Sequence, residues 1–229
     1  MSRFLHPQYA GLEAYTPGEQ PRDQQYIKLN TNESPYPPAP AVLAALTEQD
    51  LADLRLYSDP EGTALRAKLA GLYGVEAGQV FLSNGSDDIL NFAFMAFGAD
   101  GAVFPALTYS FYPVFANLHG VAYETVPLRE DFTLDVAGMQ GKGKLTVFPN
   151  PNAPTGIALP LDQVEAIVAA NPDHVVVVDE AYVDFGADSA VPLLQRYENL
   201  LVVMTYSKSR SMAGARLGFA LGSRALIQD

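Results

Sequence analysis

The stretch "HVVVVDEAY", His174 to Tyr182, decides the fold. Its run of valines leaves no polar side, so it reads as a strand buried on both faces. A carboxylate, Asp179, follows at once. Outward from it the same grammar repeats. "KLTVFPN" (144–150), "GAVFP" (101–105), "QVFLS" (79–83), "VAYETVP" (121–127), "NLLVVMTYS" (199–207) and "ARLGFALG" (215–222) read as strands. Between them "SDDILNFAFMAFG" (86–98) reads as a buried helix, "YSFYPVFANLHG" (109–120) as a helix interrupted near Pro113, and "LDQVEAIVAANP" (161–172) as a helix with Leu161, Val164, Ile167 and Val168 aligned. Upstream, "YSDPEGTALRAKLAGLYG" (57–74) gives a turn and a helix with Leu65, Leu69 and Leu72 on one face, and another helix is expected over 41–54. Before residue 40 the chain is polar and Pro-rich. "LNTNESPYPPAP" (29–40) suits neither a helix nor a central strand and reads as an arm lying over something else. Strands alternating with helices imply an α/β domain with a largely parallel sheet.

Composition narrows the function. With 14 basic and 26 acidic residues, the formal charge of −12 disfavours nucleic acid and anionic membrane as partners. The chain has no cysteine, and His6, His119 and His174 have no ligand spacing, so no metal site is expected. The first twenty residues lack the apolar core of a signal peptide, and no apolar run is long enough to span a bilayer. A cytoplasmic protein is expected.

In open α/β sheets, ligands bind beyond the carboxyl ends of the strands, so polar residues there are the candidates for chemistry. Gly85 and Ser86 open a helix and offer free N–H groups to a phosphate, although taken alone they are better explained by Ser86 as an ordinary cap, with Asp87 and Asp88 complementing the dipole. Asp179 suits either an ion pair or a protonated ring nitrogen. Lys208 is either a surface lysine or, desolvated between Ser207 and Ser209 as it leaves a buried strand, a nucleophile able to form a Schiff base. Arg216 offers a fixed charge for a phosphate, and Arg210 reads as a solvated bystander. Tyr109 and Tyr182 are of a kind more often found as core or rim aromatics, or else they are a stacking ring and a hydroxyl for a ring oxygen. Taken together, a phosphate cradle, a ring-nitrogen partner, a stacking ring and a Schiff-base lysine describe pyridoxal 5′-phosphate.

The segments "KLNTNESPYPP", "YSDPEGTALRAKLA", "FLSNGSDDIL", "PALTYSFYP", "NPNAPTG", "VVVDEAYVDF" and "TYSKSRSMAGARLGFALG" occur in that order and cover nearly the whole chain. In these the sequence resembles the fold-type I, PLP-dependent aminotransferases of class I/II, and more narrowly the histidinol-phosphate aminotransferases. The resemblance implies a three-layer α/β/α PLP-transferase large domain over 41–229, preceded by an arm over 1–40. It implies amino transfer between L-histidinol phosphate and 2-oxoglutarate, small-molecule substrates, and a homodimer. By the same resemblance, Lys208 would carry the cofactor and shuttle the substrate proton. Asp179 would pair with the pyridine nitrogen, Tyr182 with the 3′-oxygen, and Tyr109 would stack on the ring. Gly85, Ser86, Asp87, Thr205, Ser207 and Arg216 would hold the phosphate, and Tyr57 would reach the phosphate in the other subunit. Ala153 departs from the family's usual Asn at the 3′-oxygen. Asn152 is adjacent, but the one-residue shift redirects its side chain. The family continues for well over a hundred residues past "GSRALIQD", so a fragment of low or no activity alone, lacking most of the small domain, is expected. Related fold-type I enzymes, such as aromatic aminotransferases or phosphothreonine decarboxylases, share these residues, and a non-catalytic remnant would keep them too.

Overall fold

The computed structural model describes residues 3–9, 11–12, 23, 27–45 and 47–229. The rest of the expected arm and Leu46 lie outside the described residues. Seven strands form one sheet: β1 (Val80–Ser83), β2 (Ala102–Pro105), β3 (Tyr123–Val126), β4 (Leu145–Pro149), β5 (Val176–Asp179), β6 (Leu200–Thr205) and β7 (Gly218–Gly222). Their spatial order is β1-β7-β6-β5-β4-β2-β3. Only β7 runs antiparallel to its neighbours, pairing Gly218 with Ser83 on one side and with Thr205 on the other. The remaining strands therefore end at one common edge.

Every residue of β2, β4, β5, β6 and β7 is buried, because helices cover both faces. On one face Val176, Val178, Val202 and Phe219 pack with Leu69 of α3 (Thr63–Tyr73) and with Val164, Ile167 and Val168 of α6 (Leu161–Ala169). On the other, Val147, Val177, Val203 and Ala220 pack with Ile89, Leu90 and Phe94 of α4 (Ser86–Phe97) and with Tyr112 and Phe115 of α5 (Phe111–His119). The successive valines of β5 thus point to opposite cores, and the architecture is the expected three-layer α/β/α. The short helix α7 (Arg224–Gln228) follows, capped by Ser223.

Three local expectations need correction. The helix of 41–54 is instead α1 (Pro40–Ala44) and α2 (Glu48–Ala52) followed by a 3-10 turn, because Thr47 and Asp50 form a reciprocal capping box that starts a new helix. Pro113 does not interrupt α5. The helix starts at Phe111, so Pro113 sits in the first turn, where the N–H donor it lacks would have no intrahelical partner. Leu72 does not share the buried face of Leu69 and points to solvent.

Candidate active site

The common strand edge carries a cavity of about 310 Å³ lined by Ser86, Asp87, Tyr109, Asp179, Tyr182, Thr205, Ser207, Lys208 and Arg216, together with Thr31, Glu33 and Ala153. Five of these stretches, 86–87, 109, 153, 179–182 and 205–208, meet there because each parallel strand delivers its carboxyl end to the same place, while Arg216 precedes the antiparallel β7 and Thr31 and Glu33 come from the early segment.

The anion-facing side is built by close backbone approach. Gly85 precedes α4 with φ +92°, and a Cβ there would lie 2.5 Å from Arg216 Nη2. Gly218 sits just as tightly, since a Cβ on it would lie 2.4 Å from the Gly85 carbonyl carbon and 2.5 Å from the Ser86 nitrogen. No side chain caps α4, so Ser86 does not act as the cap, and the positive helix end stays open. Arg216 lies 3.9 Å from Asp87, whose other oxygen accepts a 2.8 Å hydrogen bond from the Tyr109 hydroxyl. The Thr205 hydroxyl donates to Ser207 Oγ at 2.9 Å and accepts from the Ser207 N–H at 3.1 Å, shaping the turn into Lys208.

The opposite side holds the titrating groups. Asp179 is buried, and loss of water pushes its carboxyl up to about 6 against the pull of two donors. Those donors are the Tyr112 hydroxyl, 2.9 Å from Oδ2, and the Ala181 N–H, 3.1 Å from Oδ1. The Lys208 ammonium donates to the Thr31 carbonyl at 3.1 Å and lies 5.8 Å from the centre of the Tyr182 ring. The Tyr182 hydroxyl accepts from Asn32 Nδ2 at 3.0 Å, and Ser211 Oγ donates to Ser34 Oγ at 2.8 Å. The Pro-rich segment is therefore tied across the cavity mouth by polar contacts.

Two expected site residues stand elsewhere. Asn152 lines an adjoining cavity of about 630 Å³, which shares Glu33, Ala153, Tyr182 and Lys208 with the first. Its amide donates to the Leu107 carbonyl and to Thr155 Oγ1, while its buried Oδ1 has no partner among the described residues. Tyr57 is fully exposed and lines neither cavity. Arg210 is not a solvated bystander. It is half-buried, 3.4 Å from Asp184, donates to the Tyr73 hydroxyl and lies over the Tyr206 ring, so it anchors the loop that carries Lys208. Tyr112 went unassigned from sequence; the available signal was a tyrosine one helical turn after Tyr109 on the buried face of α5.

The sequence pattern described as "Aminotransferase class I and II" matches residues 24–229. The chain belongs to the class I and II aminotransferases. It is 55% identical to histidinol-phosphate aminotransferase 1 of Bordetella parapertussis, over 99% of this chain and 65% of that protein. It is 51% identical to the histidinol-phosphate aminotransferase of Brachyspira hyodysenteriae, over 100% of this chain and 65% of that one. The chain thus spans about two-thirds or slightly less of these relatives, at 65%. Among solved structures, histidinol-phosphate aminotransferase from Sinorhizobium meliloti in complex with pyridoxal-5′-phosphate matches with a TM-score of 0.79 at 29% identity, covering 86% of this chain and 56% of that one. No helix among the described residues of this chain is long and apolar enough to cross a membrane.

Proposed function

We propose that this chain is the cofactor-binding part of a histidinol-phosphate aminotransferase that takes pyridoxal 5′-phosphate, with residues 1–40 as an arm and 41–229 as the cofactor domain. The observation that carries this reading is the meeting of Lys208, a buried Asp179 and an open helix start beside Arg216 in one cavity. The residues fit the cofactor. The glycine cradle at Gly85 and Gly218 admits no side chain yet leaves N–H groups and a guanidinium for a phosphate, and the buried Asp179 carboxyl, raised to about 6, faces the same space.

Bound pyridoxal phosphate supplies an electron sink for the electron pair left when a substrate Cα–H proton departs. Lys208 Nζ would hold the group covalently until the substrate amine displaces it, and the freed amine would then carry that proton. Asp179 holds a proton at the ring nitrogen, Tyr182 donates to the 3′-oxygen, and Tyr109 packs on the ring face. Gly85, Ser86, Asp87, Thr205, Ser207 and Arg216 hold the phosphate. Asn152, fixed toward Leu107, supports the neighbouring loop, and Ala153 takes the wall position. In the net reaction the amine of L-histidinol phosphate and the carbonyl of 2-oxoglutarate exchange, giving imidazole-acetol phosphate and L-glutamate. Such small charged metabolites do not cross membranes unaided, which favours a cytoplasmic site. A homodimer, in which Tyr57 of a second copy reaches the phosphate, gives a role to that exposed side chain.

The test is covalent capture. After addition of pyridoxal phosphate and reduction with borohydride, peptide mapping should place the label on Lys208, and Lys208→Ala should abolish it. No label, or a label on another lysine, overturns the reading.

A further inference from the structure

Asp179 is held by more than its position at the end of β5. Tyr112 is wholly buried, and its hydroxyl reaches Asp179 Oδ2 at 2.9 Å from behind the sheet edge, while the Ala181 N–H takes Oδ1. A phenol that loses water so completely needs a partner, and the carboxylate is the acceptor it has. We propose that Tyr112 is the positioning residue of Asp179: its hydroxyl fixes the carboxylate's orientation and keeps it ionised, so that it can hold a proton on a cofactor ring nitrogen. The role at the ring rests on the function proposed above; the hold on Asp179 does not.

The charges around Asp179 make this donor matter. Asp87 of α4 and Glu180 next in the chain oppose its ionisation. Lys208 favours it, and Arg216, Tyr109 and Tyr182 line the same cavity. Burial is the largest influence and acts to neutralise the carboxyl, and the Tyr112 hydrogen bond is the largest one opposing it. A carboxyl that gained its proton would donate to the ring nitrogen's lone pair instead of pairing with a pyridinium, and the electron sink would weaken.

The experiment follows the Asp179 carboxyl carbon by 13C NMR in protein without added cofactor, across pH. Tyr112→Phe removes one oxygen and keeps the ring, and the midpoint should rise by about one pH unit or more. Placing 3-fluorotyrosine at position 112 gives a more acidic donor with the same shape, and the midpoint should fall. This second arm holds even if Tyr112→Phe does not fold. If neither change moves the midpoint, the assignment is overturned. With 15N-labelled pyridoxal phosphate bound, the ring-nitrogen signal of Tyr112→Phe should be less protonated than in the unaltered protein at the same pH, as the shared proton moves toward the Asp179 carboxyl. A moved carboxyl midpoint with no cofactor binding in the unaltered protein would refute the proposed function and leave Tyr112's hold on Asp179 standing.

Discussion

The cavity at the strand ends and the chain before residue 58 are built on opposite principles. Around Asp179, Thr205 and Gly218, backbone and side chains are fixed from several directions, and the spacing is so tight that a methyl group has no room. Before residue 58, no described residue is buried: α1 and α2 bury nothing, and Leu29, Tyr36, Leu51, Leu54 and Tyr57 face solvent. What holds that segment near the cavity is polar, through Thr31, Asn32 and Ser34. Burial of apolar surface is the dominant stabilising force in folding. The cavity therefore belongs to the folding unit, while the early segment draws almost no stability from this chain.

That contrast is sharpest in the electrostatics of the cavity. Asp179 is raised from its ordinary value of 3.8 to about 6, so the folded protein binds this proton more tightly than the unfolded chain. Its contribution is therefore most favourable below pH 3.8 and is lost as pH rises through about 6. Asp179→Asn should then raise unfolding free energy at pH 8 by on the order of 3 kcal/mol in protein without cofactor, with the advantage vanishing near pH 4. Urea titrations at the two pH values measure it. An equal effect at both would show that packing, not ionisation, governs the site.

A smaller effect tests the close approach. Gly218→Ala forces a Cβ against the backbone of Gly85 and Ser86, and overpacking of this kind costs about 2 kcal/mol. The urea midpoint should fall accordingly, and cofactor capture at Lys208 should weaken with it because the open start of α4 is displaced. Stability unchanged within error would mean that the cradle yields, and the contrast with the loosely held segment would lose its basis.

These differences also explain what could be read from sequence. The valine run of β5 and the polar residues after β5 and β6 were legible because burial on both faces and the rule of strand ends are properties of short stretches. Tyr112 was not legible, since its partner lies 67 residues away and only the packing of α5 against the sheet brings them together. Arg210 was misread for the same reason: Tyr73 is 137 residues distant. The break between α1 and α2 is a different case. Thr47 followed three residues later by Asp50 is a local capping signal, and it outweighs the continuous helix propensity of 41–54.

The smallest effect on folding should come from the loosely held region. Tyr57 makes no buried contact in this chain, so Tyr57→Ala should change unfolding free energy by no more than about 0.5 kcal/mol. Its effect on cofactor retention should be larger. A hydroxyl from a second copy that donates to a phosphate contributes a charge-assisted hydrogen bond, and losing it should weaken pyridoxal phosphate binding about tenfold. The loss should depend on protein concentration, fading where dilution has already separated the copies. Equilibrium dialysis across a dilution series, beside urea unfolding of the same variant, separates the two. If Tyr57→Ala destabilised the fold as much as Gly218→Ala, the early segment would be part of the folding unit after all. If it weakened cofactor binding equally at every concentration, Tyr57 would act within its own chain, against the proposed homodimer.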